Sequence, residues 1–481
     1  MKNRCGLIVL TCAALLTLAC TNAALEHLEQ GNTYRDQGQW DEAIAEYSKA
    51  VEADPDLAEA YNNRGYAYYN KGQVGLAIAD LDRAIELNPE LAEAYKNRGW
   101  AYNSRGEWDL AIADLDEAIE LDPNLAQAYY HRAVAYGNKG QWDLAITDLD
   151  KAIELQPDYA LAYNNRGYTY GEREQWDLAI ADLDKAIELN PELAVAYYNR
   201  GSTYNAQRQW DLAIADLNKA IELDSTHATA YDNRGWAYVN KGQWELAIDD
   251  LTEAIELEPS LATAYHHRGF VHNATGEWDA AIADLTKVIE LDPKLAEAYK
   301  DRGISYGWKG QLELAIADLT RAIGLDPNLA AAYYNRGSLY NARGQWDLAI
   351  ADLSRNIELV PDFAMAHNNR GYSYSNKEQW DMAIADYSEA IRLNPEYARA
   401  SYNRGIIYGQ TGQWDMAIAD HTKVIELEPA NALAYYNRGL AYKSVQQFDL
   451  AIADWNKVLE LSDNPDLIAH ADQELKELGQ R

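Results

Sequence analysis

A single period limits what this chain can fold into. Pro55, Pro89, Pro123, Pro157, Pro191, Pro259, Pro293, Pro327, Pro361, Pro395 and Pro429 fall 34 residues apart, or 68 where Ser225 replaces one of them. Around them the same unit recurs, shown cleanly by Ala92–Leu125: AEAYKNRGWAYNSRGEWDLAIADLDEAIELDPNL. Thirteen copies begin at Ala24, Ala58, Ala92, Ala126, Ala160, Ala194, Ala228, Ala262, Ala296, Ala330, Ala364, Ala398 and Ala432. Self-similarity at this period marks an array in which each unit leans on its neighbours. It overrides the roughly three domains that length alone suggests.

Within the unit, Tyr95, Gly99 and Tyr102 share one face of a helix, and Arg105-Gly106-Glu107 makes a turn. Ala111, Ile112, Leu115, Ala118 and Ile119 then form the buried stripe of a second helix. Asp122-Pro123 ends it, because proline restricts the residue before it and cannot donate to the helix. Small residues at Gly99, Ala111 and Ala118 allow the two backbones to come close. Each hairpin has apolar faces that only stacking can cover.

The spacing of Tyr95, Gly99, Tyr102, Ala111, Leu115, Ala118 and Pro123 resembles the tetratricopeptide repeat (TPR) pattern. The resemblance implies an all-α, right-handed α-solenoid (superhelix) of about thirteen 34-residue helix–turn–helix units over residues 24–463. A capping helix is expected over 464–481, where Asn464 precedes Pro465 and Gly479 provides the stop. The first repeat carries Glu29-Gln30 where later ones have Asn-Arg and reads as the opposite cap. Ala133, in place of the first-helix glycine, reads as drift, and Ser225-Thr226-His227 as a softer joint.

The first residues read as an export signal. Lys2 and Arg4 precede an uncharged apolar stretch, Gly6–Ala19, that is too short for the roughly 20 residues a spanning helix needs. Leu16-Thr17-Leu18-Ala19-Cys20 resembles a bacterial lipobox, with Thr17 where leucine is commonest. Residues 1–19 are therefore expected to be a lipoprotein signal peptide, with Cys20 acylated. Cleavage after Ala23 is the alternative and would give a secreted chain. All three cysteines lie in this segment, so disulfides and cysteine metal sites are excluded from the array.

A formal charge of −34 repels nucleic acid and anionic membrane surfaces. It favours protein or peptide partners with basic or neutral segments. His266, His267 and His272 share a helix without the i, i+3 or i+4 spacing of metal ligands. No phosphate loop or nucleophile pattern is present, and carboxylates that repeat thirteenfold suggest surface design. Neither a cofactor nor enzymatic activity is expected.

Arg64, Arg98, Arg132 and their equivalents to Arg438 recur once per repeat, matched by acids from Glu46 and Asp80 to Asp454. Arginine's planar fork suits a fixed carboxylate, so a ladder of Arg–Asp pairs is expected inside the helix packing. The tryptophans that open the second helices, such as Trp108, read as packing residues.

In the TPR family, the first-helix face opposite the Tyr95/Tyr102 stripe lines a concave groove. Here it carries Tyr66, Trp100, Tyr168, Trp236, Phe270 and Tyr372, with Tyr130, Tyr198 and Tyr334 one turn earlier. Asn63, Asn97, Asn165, Asn199 and Asn233 lie beside them, and Lys96 is nearby. Aromatics with side-chain amides can grip an extended peptide or stack on sugars. A two-carboxylate clamp like that of some TPR chaperone adaptors is incomplete, because Lys96 is followed by Trp100 and Lys300 by Ile304. The expected function is a non-enzymatic scaffold for protein–protein interaction at the bacterial cell envelope. A glycan-binding solenoid and a spacer without a specific ligand are the alternatives.

Overall fold

A computed structural model describes residues 22–479, and these form twenty-seven helices and no strand. The signal segment 1–19 and Cys20 lie outside the described residues. The chain divides into two compact units, one ending at Leu257 and one beginning at Glu258. The first holds seven helical hairpins, starting with a helix over 22–36. The second holds six hairpins followed by the helix Pro465–Glu477. Among the described residues no helix is long and apolar enough to cross a membrane.

Each hairpin follows from its unit. In the third repeat, the first helix is Ala92–Ser104 and the second Trp108–Leu121. Ala111, Leu115 and Ala118 of the second are fully buried, together with Ala128 and Ala135 of the next repeat. Gly99 is required by the close approach: a Cβ there would lie 2.7 Å from Leu115 Cγ and 3.2 Å from the Ala111 carbonyl oxygen.

The turn between repeats is closed by the residue before proline, as where the Asn124 amide donates to Asp122 Oδ1 at 3.0 Å. Ser225-Thr226-His227 forms its turn without a proline. The Thr226 amide and hydroxyl both donate to Asp224 Oδ1, at 3.0 and 2.7 Å, so the same turn forms with one bond more.

The turn inside each hairpin needs a left-handed residue, which is usually glycine, as at Gly106 with φ 74°. Four repeats place a side chain there instead: Glu174, Arg208, Glu378 and Gln446, with φ from 58° to 62°. A Cβ in this region is unfavourable, and glycine's greater freedom in the unfolded chain offsets part of that difference. Glu174→Gly should therefore stabilise its hairpin by about 0.5–1 kcal/mol, measured as a raised urea midpoint. An unchanged or lower midpoint would contradict the strain.

The Arg–Asp ladder is present at all twelve positions, and each pair lies within a repeat. Arg98 Nε and Nη2 donate to Asp114 Oδ2 and Oδ1, both at 2.7 Å, and the same two-bond fork recurs from Arg64–Asp80 to Arg438–Asp454. The third donor group reaches back to the preceding repeat: Arg98 Nη1 donates to Asp82 Oδ1 at 2.7 Å, and Arg132 Nη1 to Asp116 Oδ1 at 2.6 Å. One guanidinium thus joins two helices of its own hairpin to the hairpin before. Tyr95 and Tyr102 flank Arg98, with ring centroids 5.7 and 6.0 Å from its Cζ. The first repeat has no such arginine, and its Glu46 instead meets His27 Nδ1 and Lys49 Nζ, each at 2.6 Å.

A second, partial ladder accounts for six of the acids that follow a tryptophan. Asp109 pairs with Lys139 in the turn of the next repeat, and Asp41–Lys71, Asp143–Arg173 and Asp279–Lys309 do the same. At the C-terminal end, Asn464 Oδ1 accepts from the amides of Asp466 and Leu467. Leu467, Ala471 and Leu475 then cover Ala451, Trp455 and Val458.

Candidate functional site

The first helices of the second, third and fourth repeats face one open pocket of about 420 Å³. Five of the expected groove residues meet there: Tyr66, Lys96, Asn97, Trp100 and Tyr130. Tyr69, Asn103, Gln127, His131 and Tyr159 complete most of its wall. Trp100 lies between Tyr69 of the preceding repeat, 4.1 Å away by ring centroids, and the stacked His131 of the following one, 5.1 Å away. Tyr130 packs on Tyr159, which arrives from the turn between repeats, at 5.0 Å.

The polar groups of this pocket are largely engaged with one another. Lys96 is only 6% exposed, and its Nζ bonds the Glu93 carboxylate and Gln127 Oε1. Asn97 Nδ2 donates to Asn62 Oδ1 at 3.0 Å, while Asn97 Oδ1 is buried without a partner. Asn103 Nδ2 donates to the His131 carbonyl oxygen at 2.8 Å, and its Oδ1 is likewise without a partner. Burial, assisted by the Lys96 charge, pushes the His131 imidazole down to about 3, so it is neutral at physiological pH. Burial also raises the Tyr130 phenol, although Asn165 works against it. The pocket thus offers aromatic walls and a neutralised lysine, while the unbonded oxygens of Asn97 and Asn103 are buried rather than open to it.

The other expected residues are spread along the array. Asn165 and Tyr168 line an adjoining cleft of about 200 Å³ with Trp142. Tyr168, Tyr198 and Asn199 line another of about 330 Å³ with Trp176. In the second unit, Tyr372 borders a cleft of about 300 Å³ with Asn341, Asn369 and Arg399. Tyr334 packs edge-on against Phe363, and Phe270 is 45% exposed. The backbone carbonyl groups of Asn233 and Trp236 accept from Asn205 and Asn240.

Several of the asparagine amides are already engaged with amides of the preceding repeat. Asn199 donates to Asn164 as Asn97 does to Asn62, and Asn63 donates to Asn32. Much of the row is an amide ladder between repeats. The tryptophans are more than packing residues, since Trp142, Trp176 and Trp414 also form pocket walls. His131 was not singled out from the sequence. Its signal was a histidine, shared only with His267, in a column that is asparagine in nine repeats. His266 Nε2 faces Asp301 at 2.9 Å and His272 Nδ1 faces Glu277 at 2.7 Å, so these two histidines point to separate carboxylates.

Family models described as TPR repeat match residues 31–72, 99–140, 138–172, 235–276, 309–341, 337–378, 371–412 and 407–446. Models described as tetratricopeptide repeat match 58–91, 160–193, 194–227, 262–295 and 432–465. Comparison with curated proteins finds no match. Among solved structures, the chain is similar to the APC/C hetero-tetramer Cut9-Hcn1, with 18% identity over 93% of this chain and 95% of that one and a TM-score of 0.48. It is also similar to YrrB, described as a TPR protein with an unusual peptide-binding site, at 29% identity over 38% of this chain and 95% of that one, TM-score 0.33. MamA is 30% identical over 33% of this chain and 92% of that one, with a TM-score of 0.32. The repeat models carry the assignment, because together they span most of the array, and five of them start where a hairpin's first helix starts. This protein belongs to the tetratricopeptide repeat family, whose arrays are scaffolds for protein interaction.

Proposed function

We propose that the array holds an extended segment of a partner protein, and that the pocket shared by the second, third and fourth repeats anchors it. The observation that carries this reading is the convergence of Tyr66, Trp100 and Tyr130, from three successive repeats, on one open pocket. Side chains of an extended segment would pack on these rings. The net charge of −34 favours segments that are basic or neutral. TPR scaffolds are typically non-enzymatic, and binding is the proposed activity here. We place the protein at the bacterial envelope, exported by residues 1–19 and held by a lipid on Cys20, or released if cleavage follows Ala23.

A glycan reading needs open aromatic faces for sugar rings, yet Trp100 already lies between Tyr69 and His131. Cross-linking on intact cells followed by capture of the full chain separates these readings. A discrete protein should be recovered by the wild type, and Tyr130→Ala should reduce its recovery roughly thirtyfold, as expected for an anchor worth about 2 kcal/mol. Retention on envelope polysaccharide that Trp100→Ala abolishes would overturn the proposal in favour of sugar binding. Recovery that Tyr130→Ala leaves unchanged would overturn the assignment of this pocket.

A further inference from the structure

The position of Leu115 in the second helix is leucine in nine repeats, from Leu81 to Leu353, and each of these side chains is fully buried. Four repeats carry a polar-tipped side chain there: Tyr47, Tyr387, His421 and Trp455. Three of them find partners. Tyr47 Oη donates to Asn32 Oδ1 at 2.8 Å, Trp455 Nε1 donates to the Tyr436 carbonyl oxygen at 3.3 Å, and the Tyr387 phenol meets Ser375. His421 is 1% exposed, and its Nδ1 has no partner.

The His421 imidazole lies against Gly405, where a Cβ would be 2.9 Å from its Cε1 and 3.0 Å from its Nε2. It also forms part of the wall of a pocket of about 440 Å³ between the first helices Ala398–Gln410 and Ala432–Ser444. Ile406, Trp414, Ala417 and Leu440 make most of this pocket apolar. Lys443 at the rim is neutralised by Glu474 and Glu477, at 2.5 and 2.7 Å. The pocket is therefore mainly apolar, with Gln410, Asn437 and Ser444 also on its wall, without a free cation from Lys443, and with the His421 imidazole as its one aromatic group able both to donate and to accept.

We infer that this pocket receives a tyrosine side chain of a bound protein segment, with the phenol hydroxyl bonded to His421. A neutral imidazole presents one donor and one acceptor, and a hydroxyl can satisfy either tautomer. The phenol ring suits the Ile406, Trp414 and Leu440 walls, and its polar tip suits a site where burial has left the histidine unpaired. A carboxylate would find a neutral imidazole and an already paired lysine. A purely apolar side chain would leave the imidazole unsatisfied. The inference rests on the protein-segment reading above, but its site is in the second unit and involves none of the residues of the first pocket.

N-acetyl-L-tyrosinamide and N-acetyl-L-phenylalaninamide titrated into the full chain provide the test, followed by NMR of the Ile406 and Leu440 methyls and the Trp414 indole. The tyrosine probe should bind about tenfold more tightly, the effect of one hydrogen bond at a buried site. His421→Leu installs the side chain of nine other repeats and should fold normally, with the preference reduced below twofold. Gly409→Leu fills the pocket while keeping His421 and should weaken both probes at least tenfold. Equal binding of the two probes to the wild type, a preference that survives His421→Leu, or no response to either probe would overturn the assignment. Any of those results would leave the first pocket to the Tyr130→Ala experiment, so the two failures are distinguishable.

Discussion

Replacing Arg132 with leucine is expected to destabilise the fourth repeat by about 3 kcal/mol, the lower end of what removing one member of a buried pair costs. Arg132 donates to Asp148 Oδ2 and Oδ1 at 2.8 and 2.7 Å, and Asp148 is 4% exposed. Burial already raises the Asp148 carboxyl, with the arginine holding it down. Without the guanidinium, Asp148 must take up a proton or admit water between the helices. The arginine is itself about one-fifth exposed, which is why the upper end of the range is not expected. Asp116, the partner in the preceding repeat, is half exposed and adds little to the loss. Because a repeat array is held together neighbour by neighbour, amide exchange should accelerate around residues 126–159 before it does in distant repeats. The double variant Arg132→Leu/Asp148→Leu should recover most of the loss, because it leaves no charge stranded. A single variant that unfolds at the wild-type denaturant concentration would show that the ladder is not structural.

Lowering the pH from 7 to 5 should weaken the repeats around His131 and His421 by about 2 kcal/mol each. An unfolded histidine titrates near 6.5. Burial, helped by Lys96, depresses His131 to about 3, and burial, helped by Arg438, depresses His421 to about 4. Below pH 6.5 the unfolded chain takes up a proton that each folded site refuses. Stability therefore falls with pH and levels off only near the folded values. The effect is separable from that of the carboxylates. Burial pushes Asp386 up, but hydrogen bonds from Arg370 and His367 outweigh it and leave the carboxyl lowered, so its contribution is lost only in more acidic solution. Local opening measured by amide exchange at the two pH values provides the comparison. His421→Leu should remove the pH dependence in the twelfth and thirteenth repeats while leaving it around His131. If it persists around residue 421, the buried histidine is not its source.

The two histidines also show where sequence reading ends. His421 stands in a column of leucines and His131 in a column of asparagines, so each is visible as a departure from the repeat. Departure alone does not distinguish a core substitution from a pocket wall. Ala133 is an equally visible departure, and it packs with Leu149 in the core while also bordering the cleft beside Trp142. The amide ladder was hidden for a similar reason. Asn97 and Asn62 are separated by one repeat and one residue, and only the stacking angle of successive hairpins brings them within 3.0 Å.

The 34-residue period, the prolines and the buried Ala/Leu stripe were enough to establish the hairpins, their boundaries and the family, because these depend on local geometry and on faces that must be covered. The charge complement of each once-per-repeat arginine was legible as well, because a planar fork inside helix packing needs a carboxylate. The tertiary structure decided which carboxylate each arginine takes and that its third donor group ties the hairpin to the one before. It also decided which aromatics surround space and which surround one another. Those outcomes depend on angstrom-scale approach between side chains on different helices, and a periodic sequence repeats the side chains without specifying the gaps between them.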